Sequence, residues 1–518
     1  MMLYQRFGRP KRKPVYRPYA FSFLSGVVLV LCFPTAGLWG LAWVALVPFL
    51  ASLREVGPGG GFKAGFMMGL PYFFGTQYWI YHSISHYGGA SFAVAISAVL
   101  LLAAYESLYT GVFGMLFSYS IRNTPLPALF LAPVYWVVAE FVRSYALTGF
   151  PWSSIGYTQH GFLTAIQFAD ITGVYGVSFL VVAVNGAVAD LFITHQRRSE
   201  KPLVNLWPTA VGLAALAVFA LAVLGYGQFR LNQHRPGREV KISVVQGSVD
   251  QSVKWDPAYR DEVLGIYEGL TAGVAAEGPG LVVWPETAAP FYWERDPEET
   301  SELRRFASAL RTELLFGAVT AKDAYELSNS AVLIGKSGET LYIYDKIHLV
   351  PFGEYVPLRS VLGLFVNRLV EGVGDYVPGR SYEKAEAEVG SFGTLVCYEV
   401  IFPGLVRKFY KRGGDLMVNI TNDAWFGRTT GPYQHFSMGV LRAVENRKPL
   451  VRAANTGISG FIDSSGRILK ALPLFERGAI TEEIRTDSTR TFYSRFGDLF
   501  SYLCIITTVI LLASIRRQ

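Results

Sequence analysis

Charged side chains are scarce in this sequence. They make up 17% of its 518 residues, where soluble domains carry about a quarter. With 51% hydrophobic residues, the chain is not soluble throughout. Cysteine is scarcer still. Of the three present, Cys32 and Cys504 lie within apolar spans, and Cys397 has no partner in the polar part. A disulfide framework is therefore excluded. No glycine-rich phosphate loop is evident. The formal net charge is +7, yet no basic stripe with interleaved aromatics suits nucleic acid. His348 has no second ligand at a metal-binding spacing. Solenoid repeats and low-complexity tracts are also missing.

What the chain does have is apolar sequence, concentrated before about Gly227 and again after Gly497. Candidate membrane spans of roughly 20 apolar residues fall near 20–35, 38–53, 64–83, 90–118, 126–145, 163–193, 206–227 and 499–514. That gives a transmembrane bundle of about eight helices, about seven of them ahead of the polar part. The first span follows a basic start with Arg6, Arg9, Lys11, Arg12, Lys13 and Arg17. Further spans follow at once, so it reads as a first helix rather than a cleaved leader.

Basic residues recur at Arg54, Lys63, Arg122, Arg197, Arg198, Lys201, Arg516 and Arg517, in alternate loops. By the positive-inside rule those loops are cytoplasmic. The expected division is a basic cytoplasmic N-terminus at 1–18, a bundle at 19–227, an outer domain at 228–496 and a last helix with a cytoplasmic tail at 497–518. Both termini are then cytoplasmic, and the outer face is periplasmic in the inner membrane of a bacterium. Glu140 and Arg143 near the fifth span are either functional or snorkelling. The uncharged stretch Gly149-Phe150-Pro151-Trp152 either lines an access path or belongs to the aromatic belt.

From Val240 onward short β-branched runs alternate with helical patterns, which indicates an α/β layered domain. Strands are expected at 240–246, 281–284, 314–319, 331–334, 340–344, 394–396, 416–419 and 450–453. Helical patterns cover 257–276, 300–312 and 405–410. Three of these strands end in residues suited to chemistry. Glu286 follows Trp284-Pro285, where partial desolvation makes a carboxylate a competent base. Lys346 enters a loop containing Pro351 and Gly353, where a fixed ammonium stabilises an oxyanion. Cys397 follows a buried strand, a placement that presents a nucleophile to a pocket. Each has a plainer reading, as a turn carboxylate, a surface lysine and a buried small thiol. Together they make a plausible acyl-transfer set, in which base, nucleophile and lysine with a backbone N–H share the work.

The motifs Trp284-Pro285-Glu286, Asp345-Lys346-Ile347-His348-Leu349-Val350-Pro351-Phe352-Gly353-Glu354 and Cys397-Tyr398-Glu399 resemble the Glu–Lys–Cys signature of the nitrilase superfamily. Thr421-Asn422-Asp423-Ala424-Trp425-Phe426-Gly427 and Arg442-Ala443-Val444-Glu445-Asn446 support it. Apolar spans on both sides narrow the resemblance to the apolipoprotein N-acyltransferases.

The resemblance implies a nitrilase-like αββα sandwich on the helical bundle and a ping-pong reaction. Cys397 takes an acyl chain from a membrane phospholipid and passes it to the N-terminal amine of an S-diacylglyceryl apolipoprotein. Glu286 is then the general base and Lys346 the charge stabiliser. Glu354 supports them, and Tyr398 and Glu399 shape the pocket. Trp255 and Asn329 match substrate-side positions less securely, and Trp152 joins them as a candidate. No metal or organic cofactor is required for thioester chemistry. The expected partners are lipid and lipoprotein, with no nucleic acid, and the expected state is a monomer. The apolar stretch 358–369, with Leu364 and Phe365, is either a lid dipping into the interface or a buried helix of the sandwich. Two other readings compete: a membrane-tethered amide or nitrile hydrolase, and a transporter or receptor with an outer ligand-binding domain.

Overall fold

A computed structural model describes residues 16–517, apart from 201–206, 234–236, 322–325 and 358–375. The strands are β1 Glu239–Gln246, β2 Leu281–Val283, β3 Tyr292–Trp293, β4 Glu313–Ala321, β5 Leu327–Ile334, β6 Thr340–Asp345 and β7 Ala385–Ala387. They continue with β8 Gly390–Val396, β9 Leu416–Thr421, β10 Leu450–Ala454, β11 Ser459–Ile462, β12 Ile468–Leu472 and β13 Gly478–Arg485. They form two sheets. One has the order β13-β1-β2-β4-β5-β6, with β3 beside β4. The other has the order β12-β11-β10-β9-β8-β7.

The alternation of side chains along each strand builds a layered core. Leu281, Val283, Leu315, Ala331 and Leu333 share one buried cluster with Leu395, Val396, Leu416 and Val418 of the other sheet. Their immediate neighbours Val282, Trp284, Leu314, Phe316, Val332 and Ile334 point the opposite way, into a second cluster. There they meet Val263, Leu264, Tyr267, Leu303 and Ala307 of helices Arg260–Ala275 and Pro297–Leu310. Helices Pro403–Tyr410 and Gly431–Asn446 cover the second sheet. This is the expected nitrilase-like sandwich. All eight expected strands and the expected helices are present. The sequence pattern did not show β3, β7 and β11–β13. Strand β12 explains why: it lies at the sheet edge and is largely exposed, so it carries no apolar alternation.

Four of the described helices are long and apolar enough to cross a membrane, three before the sandwich and one after it. They are Phe92–Asn123, Val174–Ile193, Thr209–Asn232 and Leu499–Arg517. The count of about eight spans is not reproduced at that length. The stretch expected at 38–53 is a 3-10 turn, Trp39–Trp43, followed by the short helix Val47–Leu53. The stretch expected at 163–193 is broken into Leu163–Ile166, Ala169–Thr172 and a helix that starts at Val174. The break is at Gly173, whose φ of +67° ends the preceding turn and whose Cα packs against the Tyr493 ring.

Helix Pro58–Gln77 lies against Phe92–Asn123 through small residues. A Cβ on Gly61 would strike the Gly114 carbonyl, and one on Gly65 the Thr110 carbonyl. This close backbone approach is how helices pack where lipid supplies no hydrophobic drive. The helix Ala128–Arg143 starts on the Asp190 carboxylate, which accepts from Ala128 N at 2.8 Å and Leu129 N at 2.9 Å.

Candidate active site

Each of the three expected chemical residues stands where a strand has just ended. Glu286 follows β2 by a turn in which Thr287 takes φ +50°. Gly317 on β4 permits that turn, because a Cβ there would overlap Glu286 Cα and Thr287 N. Lys346 follows β6, and its backbone N–H donates to Asn329 O at 2.9 Å. Cys397 follows β8 with φ +53°, a left-handed conformation that L-residues adopt only when neighbours hold it. Glu286 and Lys346 come from one sheet and Cys397 from the other, so the site sits where the two sheets face.

The acidic side is tightly bonded. Asn329 Nδ2 donates to Glu286 Oε1 at 2.7 Å and to Glu354 Oε1 at 2.8 Å. Lys346 Nζ lies 2.9 Å from Glu354 Oε1 and 3.5 Å from Glu286 Oε1. Glu286 Oε2 accepts from Asn422 N at 2.8 Å, and Glu354 Oε2 from Val350 N at 2.8 Å. Glu286, Lys346 and Glu354 are all buried. Burial alone would depress the Lys346 ammonium, but Glu354, Glu286 and Cys397 outweigh it and hold the amine charged far into alkali.

Burial pushes the Cys397 thiol well above its ordinary value. Glu286 adds to that, while Lys346 and the Thr421 hydroxyl oppose it. The resting sulfur is therefore a thiol and not a thiolate. Of the carboxylates near it, Glu286 raises its pKa most.

Glu399 is held by four donors from two chain segments. Its Oε1 accepts from Tyr344 OH at 2.8 Å, Ile347 N at 2.8 Å and His348 N at 3.1 Å. Its Oε2 accepts from Val396 N at 2.7 Å. One fully buried carboxylate thus ties the turn of Cys397 to the loop of Lys346. Burial pushes it up to about 7 against these donors. Tyr398, beside the nucleophile, stacks near-parallel to Phe150 at 6.2 Å and meets Phe402 edge-on at 5.0 Å.

The remaining candidates are less uniform. Asn329 is inside the site, as described. Trp255 is exposed by 37% and stands 6.3 Å from the Tyr292 ring, at the surface. Trp152 is fully buried. Its indole N–H donates to Gln434 Oε1 at 2.5 Å, and its ring packs on Trp79, Phe426 and His435. Leu364 and Phe365 lie outside the described residues. His348 packs its ring 3.9 Å from Phe402, and no group of metal-holding side chains occurs among the described residues. Glu140 and Arg143 do not snorkel. Arg143 is buried and pairs with Glu106 at 2.8 Å, and Glu140 accepts from Trp136 Nε1 and Ile155 N, each at 2.8 Å.

Sequence reasoning missed Lys254. Its fully buried Nζ donates to Glu286 O at 2.9 Å and Thr287 Oγ1 at 2.8 Å. Burial lowers it to about 8, against attraction from Glu286 and Cys397. The only signal in the sequence was its place beside Trp255. Also missed was His435, fully buried, whose Nε2 lies 3.2 Å from Cys397 O.

A two-sheet sandwich with a glutamate, a lysine and a cysteine at adjoining strand ends defines a carbon-nitrogen hydrolase domain. Residues 241–493 match the family model described as carbon-nitrogen hydrolase. Residues 25–187 match the apolipoprotein N-acyltransferase N-terminal domain. An apolipoprotein N-acyltransferase of Geobacter metallireducens is 41% identical over 100% of this chain and 99% of its own length. One of Haemophilus ducreyi is 32% identical, covering 93% and 95%. An amidase from Nesterenkonia sp. is 22% identical, with a TM-score of 0.39, over 52% of this chain and 97% of the amidase. The chain belongs to the apolipoprotein N-acyltransferase family, and it is a bacterial membrane enzyme.

Proposed function

We propose that this enzyme completes lipoprotein maturation by moving one acyl chain from a phospholipid to the N-terminal S-diacylglyceryl cysteine of an apolipoprotein, through a thioester on Cys397. In the first half-reaction the Cys397 sulfur attacks the ester carbonyl and Glu286 takes the thiol proton. The C–S bond forms and the C–O bond to glycerol breaks. The proton goes to the leaving oxygen, which gives a lysophospholipid. In the second half the acceptor amine attacks the thioester carbonyl. A C–N bond forms as Glu286 takes a proton from the amine, the C–S bond breaks, and that proton passes to the departing sulfur to restore the thiol. Lys346 faces the charge that develops on the carbonyl oxygen in each half.

The observation that carries this reading is one buried site holding Cys397, Glu286 and Lys346, supplied by two sheets. The lipid substrates follow from the apolar helices. Two lipid-anchored partners confined to one bilayer meet at a raised effective concentration. The alternating basic loops support a catalytic domain at about 228–496 on the periplasmic side of the inner membrane, with both termini cytoplasmic. The working unit of this proposal is a monomer.

Intact mass spectrometry after incubation with phospholipid alone tests it. The expected result is one added acyl chain, mapped to Cys397 and absent from Cys397→Ser. A bare enzyme mass together with release of free fatty acid would point to a hydrolase instead.

A further inference from the structure

We propose that His435 is the positioning residue for the nucleophile, holding the Cys397 carbonyl, and that Trp152 of the bundle clamps it there. The inference rests on Cys397 being the acyl carrier.

Cys397 has a left-handed backbone without being glycine, so the flanking peptides must be held. Val396 N is held by Glu399 Oε2 at 2.7 Å. On the other side Cys397 O faces His435 Nε2 at 3.2 Å. The second ring nitrogen, Nδ1, lies 3.0 Å from Asp423 Oδ1 and 2.9 Å from an Arg452 guanidinium nitrogen. A charged ring donates from both nitrogens. A neutral ring that accepts from Arg452 carries its proton on Nε2. A neutral ring with its proton on Nδ1 would instead turn a bare Nε2 lone pair on a carbonyl that can only accept, so the 3.2 Å contact is a hydrogen bond when Nε2 carries the proton. Asp423 is fixed in turn by Arg452 at 2.7 Å and by the Thr421 hydroxyl at 2.9 Å.

The imidazole is also packed by two aromatic rings, one of them from the bundle. The Trp152 ring lies near-parallel to it, at 5.8 Å and 26°. Phe426 meets it edge-on at 5.5 Å. Trp152 is fixed at both ends. Its indole N–H bonds Gln434, next to His435, and its carbonyl accepts from Arg143 Nη1 at 2.5 Å. Arg143 pairs with Glu106 inside the bundle. A continuous run of buried contacts therefore joins a helical ion pair to the peptide that carries the thiol.

The test uses the full-length enzyme in detergent, with phospholipid and a diacylglyceryl peptide, and compares His435→Ala, His435→Gln and Trp152→Ala. Displacing a reacting group by an ångström costs about 100-fold, which is the loss in kcat expected for His435→Ala with KM for phospholipid unchanged. The amide nitrogen of His435→Gln reaches the same carbonyl and restores most of kcat. Trp152→Ala loses about tenfold in kcat with KM unchanged, as expected for an interaction that matters only in the transition state. Thermal unfolding shows whether each variant folds. If His435→Ala does not fold, the folded His435→Gln decides: near wild-type kcat supports the donor, and a 100-fold loss overturns it. Wild-type kcat in His435→Ala, or in Trp152→Ala, overturns the corresponding half. Undiminished transfer by Cys397→Ser would sink the thioester itself, a separate failure from loss of the histidine's role.

Discussion

Glu286 and Glu354 are held by a single nitrogen, Asn329 Nδ2, at 2.7 and 2.8 Å. Lys346 lies between the same two carboxylates. The amide supplies a neutral donor, so two like charges stay close without a second cation at that point. Asn329→Asp would add a third carboxylate and raise the proton affinity of its neighbours. A hydrogen bond to a charged group is worth about 1.5–3 kcal/mol, so kcat/KM should fall by about 10- to 100-fold. The acidic limb of its pH profile should move upward. A pH profile identical to wild type would contradict the shared-donor role.

Lys254 should govern the alkaline side. Its buried ammonium titrates at about 8. As pH rises through that value, its attraction for Glu286 and for charge on Cys397 is lost. Activity should fall above about pH 8, and Lys254→Arg, which stays charged, should carry the limb upward by a unit or more. Stability should run the other way. The folded value lies below the unfolded one near 10.4, so the folded state loses its proton first and stability rises between about pH 8 and 10.4. Urea titrations at pH 8 and pH 10 on wild type and Lys254→Met check that slope, which the variant should lack.

Glu399 binds two chain segments at once, so Glu399→Gln cannot keep every donor satisfied. An amide has one acceptor oxygen where the carboxylate has two. Either Val396 N or the 344–348 loop loses its partner. The expected cost is about 1–3 kcal/mol, read as a lowered unfolding temperature. The kcat should drop more than KM changes, because both the thiol and the ammonium shift. A loss confined to KM would mean that Glu399 contacts substrate instead.

Inside the bundle, Glu106 and Arg143 form a pair with both partners buried. Removing one leaves a buried charge alone, at about 3–5 kcal/mol. Glu106→Ala should therefore lower the unfolding temperature more than the double change Glu106→Ala with Arg143→Met. Equal losses from the single and double variants would show that the pair carries no such penalty.

The α/β character, the apolar bundle and the three chemical residues were legible in the sequence for a physical reason. Strands buried on both faces read as short apolar runs, membrane helices must be apolar, and the three residues suited to chemistry come just after such runs. Strands β11–β13 were not legible. Gly460 within β11, the exposure of β12 and the charges of β13 hide the pattern, and only pairing across the sheet makes them strands. The helix expected across 163–193 breaks at Gly173, which takes φ +67° and has no room for a Cβ beside the Tyr493 ring.

The amino-acid order by itself determined which residues carry thiol, carboxylate and ammonium, because reactive types at strand ends are a local property. Only the tertiary structure decided who holds them. Lys254 reaches Glu286 across 32 positions, His435 reaches Cys397 across 38, and Trp152 reaches Gln434 across 282. Such bonds leave no periodicity in the sequence. They exist because a buried polar atom must find a partner, and the fold alone sets which partner is near.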